Sequence, residues 1–282
     1  PNYLRFGLVW LDHHMMSSAD QHSAQSQRSA TTIIVIPTYN EADNIAAVTS
    51  RLRDAAPLVD ILIVDDNSPD GTGEIAEQLA SVDSAISVMH RASKEGLGAA
   101  YIAGFREALS RNYEFIGEMD ADGSHQPEQL HRLLGAIGDA DLVIGARYVP
   151  GGSVINWSRH RKWLSVGGNR YIRLLLGTSL TDATSGYRLF RSHALESIDL
   201  NTVHSRGYVF QADMAFRCLQ LGLRVVEVPI DFVERERGVS KMTPDVALDS
   251  LRRITRWGLR ERRKQMLARL VQKRDPGTRA PG

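Results

Sequence analysis

From Thr32 onward the chain alternates short β-branched runs with segments of helical period, and this alternation leaves few folds open. Thr32–Pro37 (TIIVIP), Asp60–Val64 (DILIV), Ile86–His90, Phe115–Asp120 and Asp141–Gly145 read as buried strands. Between them, Glu41–Asp54, Gly73–Ala80, Leu97–Ser110 and Pro127–Ile137 read as helices, the last with Pro at its first position. Five such repeats joined by short loops predict an α/β fold, a doubly wound and mainly parallel sheet with helices on both faces. In sheets of this kind ligands bind outside the carboxyl ends of the strands.

Three of the predicted strands run into unusual polar residues: Pro37-Thr38-Tyr39-Asn40-Glu41, Asp65-Asp66-Asn67-Ser68 and Asp120-Ala121-Asp122. The fold brings these ends to one edge, so several carboxylates converge. Like charges at close range raise one another's pKa unless a positive charge lies between them. A divalent cation satisfies that need. Acids at i and i+2, with oxygen donors such as Ser124 and Gln126 behind them, are hard ligands suited to Mg2+ or Mn2+. His90, His125 and His131 lack metal-ligand spacing and are read as structural.

Charge is unevenly spread. The net charge is +1, yet Leu251–Arg274 alone holds ten Arg or Lys against Glu261. An acidic body with a basic end predicts a negatively charged partner surface. The longest apolar runs are strand-sized, well short of the roughly 18 residues a spanning helix needs. A single cysteine, Cys218, excludes an internal disulfide and fits a reducing, cytoplasmic setting. Residues 1–30 lack a sustained period and read as a disordered leader; either residues 1–14 are vector-derived or the chain is a fragment of a longer polypeptide. A catalytic domain is expected over 31–245 and a basic helical tail ending in disorder over 246–282.

The runs PTYNE (37–41), DDNSPDGT (65–72), HRASKEGLGAAYIAGF (90–105) and DADGSHQPE (120–128) resemble the inverting glycosyltransferases of the GT-A fold. Further on, GARYVPGG (145–152), TDATSGYRLF (181–190), GYVFQADM (207–214) and ERERGVSKM (234–242) resemble the dolichol- or polyprenol-phosphate mannose synthases. The resemblance implies that Pro37, Tyr39, Glu41 and Asp66 hold the nucleobase and ribose of GDP-mannose, with Val64, Lys94 and Ala121 completing the donor site. Asp120 and Asp122 would hold Mg2+ or Mn2+ beside the diphosphate, Arg235 and Lys241 would close over it, and Arg147, Arg161 and Ser165 would face the acceptor phosphate. Many relatives place Leu-Gln or Leu-Ser after the second acid where this chain has Gly123-Ser124, so Ser124 and water are alternative further ligands.

The acceptor implied is a polyprenyl phosphate lipid. A phosphate monoester has a second pKa of about 6 and is already an anionic nucleophile near neutral pH, so no catalytic base is required. Trp157–Leu176 mixes Trp157, Trp163, Tyr171, Ile172 and Leu174 to Leu176 with Arg159, Arg161, Lys162, Arg170 and Arg173. It reads either as an interfacial segment or as an amphipathic core helix. Together with the basic tail it points to a peripheral protein on the inner face of a membrane, reaching its lipid directly or through an integral membrane anchor protein. Transfer of glucose or another sugar from a UDP-sugar to the same acceptor is the alternative. A dinucleotide oxidoreductase is excluded by PTYNE where G-x-G-x-x-G would follow the first strand. No nucleic-acid partner is expected, because the basic end lacks an RNA-binding sheet or finger spacing.

Overall fold

A computed structural model describes residues 31–205, 207–235 and 251–263. Residues 1–30, Arg206, residues 236–250 with Lys241, and residues 264–282 lie outside the described residues. The elements run β1 (Thr32–Thr38), α1 (Ile45–Ala55), β2 (Asp60–Asp65), α2 (Thr72–Val82), β3 (Ile86–His90), α3 (Leu97–Ser110), β4 (Phe115–Glu118), α4 (Leu130–Ala136) and β5 (Leu142–Ala146). They continue with β6 (Ser153–Ile155), α5 (Arg159–Leu176), β7 (Arg188–Arg191), α6 (Ser192–Ser197), α7 (Tyr208–Gln220), β8 (Val225–Pro229) and β9 (Asp231–Val233). Residues 251–263 are also helical.

Seven strands form the main sheet in the order β3-β2-β1-β4-β7-β5-β8. Every pairing is parallel except those of β7, which runs antiparallel between β4 and β5. A second, two-stranded sheet pairs β6 with β9.

The period of two in β1 and β2 separates two cores. Ile33, Val35, Leu62 and Val64 face one layer with Tyr101, Phe105 and Phe210. Ile34, Ile36, Ile61 and Ile63 face the other with Ile45 and Leu52. Each fully buried aliphatic side chain contributes about 1.5–3 kcal/mol of transfer free energy, which is why these strands need no polar face. Gly104 lets α3 sit close on β1, since a Cβ there would lie 2.4 Å from Val35 Cγ1. That closeness sets Tyr101 beneath the end of β4.

Several predicted boundaries shift for local reasons. The predicted Glu41 helix start gives way to a turn, because the Glu41 N–H donates to Thr72 Oγ1 at 2.9 Å and α1 begins at Ile45. Pro127 opens a 3-10 turn (Pro127–Gln129) ahead of α4. The fourth strand stops at Glu118, two residues before the predicted Asp120, so both Asp120 and Asp122 lie in the loop beyond it.

Candidate active site

The donor-side edge is built from strand exits that brace one another. Asn40 and Asn67 each take φ 57°, a left-handed conformation that asparagine tolerates, and turn the chain away from β1 and β2. Of the two adjacent acids, Asp65 is structural. It accepts from Thr38 Oγ1 at 2.9 Å and from the Ser68 N–H at 3.0 Å. Asp66, buried beside it, is ion-paired with Arg91, which also reaches Glu95 at 3.0 Å. Burial raises the Asp66 carboxyl above its ordinary range, although Arg91 pulls the other way. Lys94 Nζ lies 3.7 Å over the Tyr39 ring, joining two predicted site residues through a cation–π contact. Glu41 is buried and accepts from Asn44 Nδ2 at 3.0 Å. Val64 and Ala121 are buried apolar neighbours of these exits.

The loop after β4 holds Asp120 and Asp122. Gly123 takes φ +74°, which favours glycine, and this turn lets the Ser124 N–H donate to Asp122 Oδ1 at 3.0 Å. Ser124 Oγ donates to the same oxygen at 2.5 Å, so the serine braces Asp122. Arg235 approaches Asp122 Oδ2 at 3.2 Å. Burial opposes the Asp122 charge, but Arg235 and Ser124 outweigh it and lower its pKa. The Asp120 pKa is raised, first by burial and then by the Asp122 charge, against the pull of His125.

Tyr101 donates to Asp120 Oδ1 at 3.1 Å, and the Asp120 N–H donates to His125 Nδ1 at 3.1 Å. Burial depresses the His125 pKa and keeps it neutral, so its Nδ1 serves as an acceptor. Asp120 Oδ2 lies 3.9 Å from the His125 ring nitrogen, and among the described residues it makes no hydrogen bond or closer ion pair. Among the described residues no set of three or more His, Cys, Asp or Glu side chains is placed to hold a metal by itself. Two hard carboxylates, one with an oxygen uncommitted among those residues, fit a divalent ion whose other ligands come from a bound diphosphate or water. A cleft of about 270 Å³ opens beside Asp122, lined by residues including Asn44, Arg51, Gln126 and Glu234.

The acceptor-side residues are brought near one another, but their cations are matched by acids. Arg147 is buried and holds Asp182 with two bonds, Nε to Oδ2 at 2.7 Å and a terminal nitrogen to Oδ1 at 2.6 Å. Arg147, expected to face the acceptor phosphate, thus has its bidentate edge on an acid 35 residues away in sequence. Burial opposes the Asp182 charge, yet Arg147 beside it holds the carboxyl below its ordinary range. Arg161 pairs with Glu234 and lies 4.1 Å over the Trp157 ring. Ser165 accepts from the Tyr148 hydroxyl at 2.7 Å.

Several residues here escaped the sequence reading. Arg91, Tyr101, Asp182 and Glu234 each hold a predicted site residue, and none had a signal beyond its place in a motif. Glu118 and Arg188 are also fully buried below the site. Arg188 spends its guanidinium on the carbonyls of Ala183, Ser185 and Gln211. The neighbouring Glu118 carboxyl is pushed up to about 7 by burial, with Arg188 opposing.

Both the sequence and the mainly parallel fold are matched in known proteins. Residues 33–199 match the family described as Glycosyl transferase family 2. The chain belongs to that family. It is a glycosyltransferase. An undecaprenyl-phosphate mannosyltransferase from Micrococcus luteus is 54% identical over 238 residues, 84% of this chain and 98% of the relative. A polyprenol monophosphomannose synthase from Mycolicibacterium smegmatis is 50% identical over 86% of this chain and 93% of its own. Among solved structures, this glycosyltransferase shares its fold with a glucosyl-3-phosphoglycerate synthase from Mycobacterium tuberculosis in complex with UDP. That similarity has a TM-score of 0.56 at 19% identity, over 84% of this chain and 82% of the other. A mannosyltransferase from Pyrobaculum calidifontis in complex with GDP-Man and Mn2+ gives a TM-score of 0.53 at 15% identity, over 88% and 76%.

Proposed function

We propose that this glycosyltransferase moves mannose from GDP-mannose to a polyprenyl monophosphate, with inversion and with a divalent metal. The product, polyprenyl-phosphate-mannose, would feed later mannosylation of glycolipids or glycoproteins. The enzyme would act peripherally at the cytoplasmic face of a membrane, directly or beside an integral anchor protein. The observation that carries this reading is the pair of bacterial relatives, both named as mannosyl-transferring enzymes on a polyprenyl phosphate and matched over nearly their whole lengths.

Tyr39, Glu41 and Asp66, with Pro37, Val64, Lys94 and Ala121 around them, would hold the nucleoside. Asp120 and Asp122 would hold Mg2+ or Mn2+, with Ser124 bracing the second acid. When bound, such an ion neutralises the donor diphosphate and stabilises it as a leaving group. Arg235 and Lys241 add cations for the same diphosphate. Arg161 would exchange the Glu234 carboxylate for the acceptor phosphate, with Ser165 alongside and Arg147 fixing the local charge. The acceptor is its own nucleophile, so the protein's part is positioning and charge stabilisation.

The test is transfer of radiolabel from GDP-mannose, UDP-glucose and UDP-N-acetylglucosamine to polyprenyl phosphate, with and without EDTA. Labelling from GDP-mannose alone, lost with EDTA, is expected. Labelling from a UDP-sugar would overturn the donor, and EDTA-resistant labelling would overturn the metal.

A further inference from the structure

The floor of the transfer site holds a polar side chain to which the donor and acceptor residues named so far give no task. Gln211, near the start of α7, is 2% exposed, and among the described residues neither its amide nitrogen nor its amide oxygen has a hydrogen-bond partner. Glu118 lies close enough for the amide to offset part of the burial of that acid, yet neither group completes a hydrogen bond to the other. A buried amide in this state has given up water and received nothing in exchange. Its retention calls for a partner from outside the chain.

Gly186, just ahead of β7, faces this amide. A Cβ there would stand 3.5 Å from Gln211 Nε2, 3.5 Å from Asp120 Oδ2 and 3.5 Å from His125 Cε1. Those are ordinary van der Waals separations, and the Gly186 φ lies outside the left-handed region, so neither crowding nor backbone conformation demands glycine. What glycine leaves is a cradle bounded by the unused atoms of Gln211 and Asp120. Arg188 fixes its walls, with Nε donating to the Ser185 carbonyl and a terminal nitrogen to the Gln211 carbonyl, each at 2.7 Å. His125, stacked on Tyr187 with ring centroids 5.2 Å apart, closes a third side. The Asp120 side chain, 32% exposed, marks the open side.

The rim selects its occupant. A carboxylate repels a phosphate oxygen, and the amide and neutral imidazole carry no charge to hold one. A hydroxyl suits it, since it accepts from an amide N–H and donates to an amide or carboxylate oxygen at once. Beside a diphosphate held at Asp120 and Asp122, the hydroxyls at hand are those of the transferred sugar. We infer that Gly186 and Gln211 form the sugar-reading subsite, in which the cradle takes one hydroxyl of the donor hexose and Gln211 Nε2 donates to it. The inference rests on the proposed nucleotide-sugar donor for its occupant and on the cradle itself for its place. A buried amide that loses its bond with the wrong sugar discriminates more sharply than apolar contact does.

Calorimetric titration of the full chain with GDP and with GDP-mannose, both in Mg2+, tests this, because the hexose distinguishes the two ligands. Gly186→Ala fills the cradle and should weaken GDP-mannose about ten-fold while leaving GDP within about two-fold of the parent. Gln211→Leu, close in size and unable to hydrogen bond, should do the same, and it decides the matter should the first variant fail to fold. Equal losses for both ligands would make the two residues structural and overturn the inference. An unchanged GDP-mannose affinity in well-folded variants would overturn it as well. A parent that takes UDP-glucose in place of GDP-mannose would overturn the proposed donor alone. Titration of the same variants with UDP and UDP-glucose then decides on the cradle by the same criterion.

Discussion

The two halves of this glycosyltransferase solve the same problem in opposite ways. On the donor side, acids gather at the ends of parallel strands, and Asp120 keeps an oxygen that accepts no hydrogen bond among the described residues. On the side proposed for the acceptor, both arginines expected there from the sequence are already answered, Arg147 by Asp182 and Arg161 by Glu234. The first half stores unbalanced negative charge for a cation to satisfy. The second holds its cations in pairs with acids, and on the proposed function a phosphate would have to compete for Arg161. Burial separates the pairs further: Arg147 and Asp182 are both buried, while Arg161 and Glu234 are partly in solvent. A buried partner is structural, and an exposed one can be exchanged.

The sharpest break of that comparison is Asp182→Ala. It strands the Arg147 charge in the interior and should cost about 3–5 kcal/mol in urea unfolding. A loss below 1 kcal/mol would show that Arg147 is not held as a buried ion pair. The same acid predicts a pH dependence. Asp182 faces Arg147 and Arg188 as cations, with His125 and Tyr148 also near. Its folded pKa is depressed, so its stabilisation is complete above the unfolded value of about 3.9 and fades as pH falls through the lower folded value. Acid unfolding monitored by circular dichroism should therefore have a shallower acid limb in Asp182→Asn than in the parent.

On the donor side, Asp122→Ala should cut transfer on the order of 10²–10³-fold with little change in melting temperature. A drop under ten-fold would move the diphosphate away from this loop. Tyr101→Phe keeps the ring stacked between Phe105 and Phe210 but removes the donor to Asp120 Oδ1. Mn2+ affinity, followed by paramagnetic resonance, should then weaken about 10–100-fold. Unaltered Mn2+ binding would mean that Tyr101 does not orient the carboxylate. The smallest effect belongs to Glu234→Ala, which should change stability by less than about 1 kcal/mol because its pair is partly solvated. An effect as large as that of Asp182→Ala would erase the distinction between the two arginines.

Much of the donor side was legible in the chain because its chemistry is local. Asp65-Asp66 and Asp120-Ala121-Asp122 each sit within a few residues of a strand whose β-branched run announces it. What stayed hidden was which acid of the first pair bonds inward. Thr38 and Ser68 claim Asp65, and Arg91 takes Asp66. The acceptor side depended on contacts between distant segments. No spacing rule links Arg147 to Asp182, Arg161 to Glu234 or Asp122 to Arg235, and the insertion of β7 antiparallel between two parallel strands had no local mark either. Trp157–Leu176 was ambiguous for a related reason. Periodicity identifies an amphipathic helix, whereas only packing shows that Ile172 and Leu176 go inward while Trp163 and Leu174 remain outside.

By itself, then, the amino-acid order determined the βα alternation and the acids that gather just beyond the strand ends. Backbone preference and the period of side chains act over a few residues, and those signals survive in one dimension. Tertiary structure alone decided which charges are paired, which oxygen is left for a cation and which helix face meets the surroundings. Those outcomes depend on desolvation and on partners 25 to 113 residues apart.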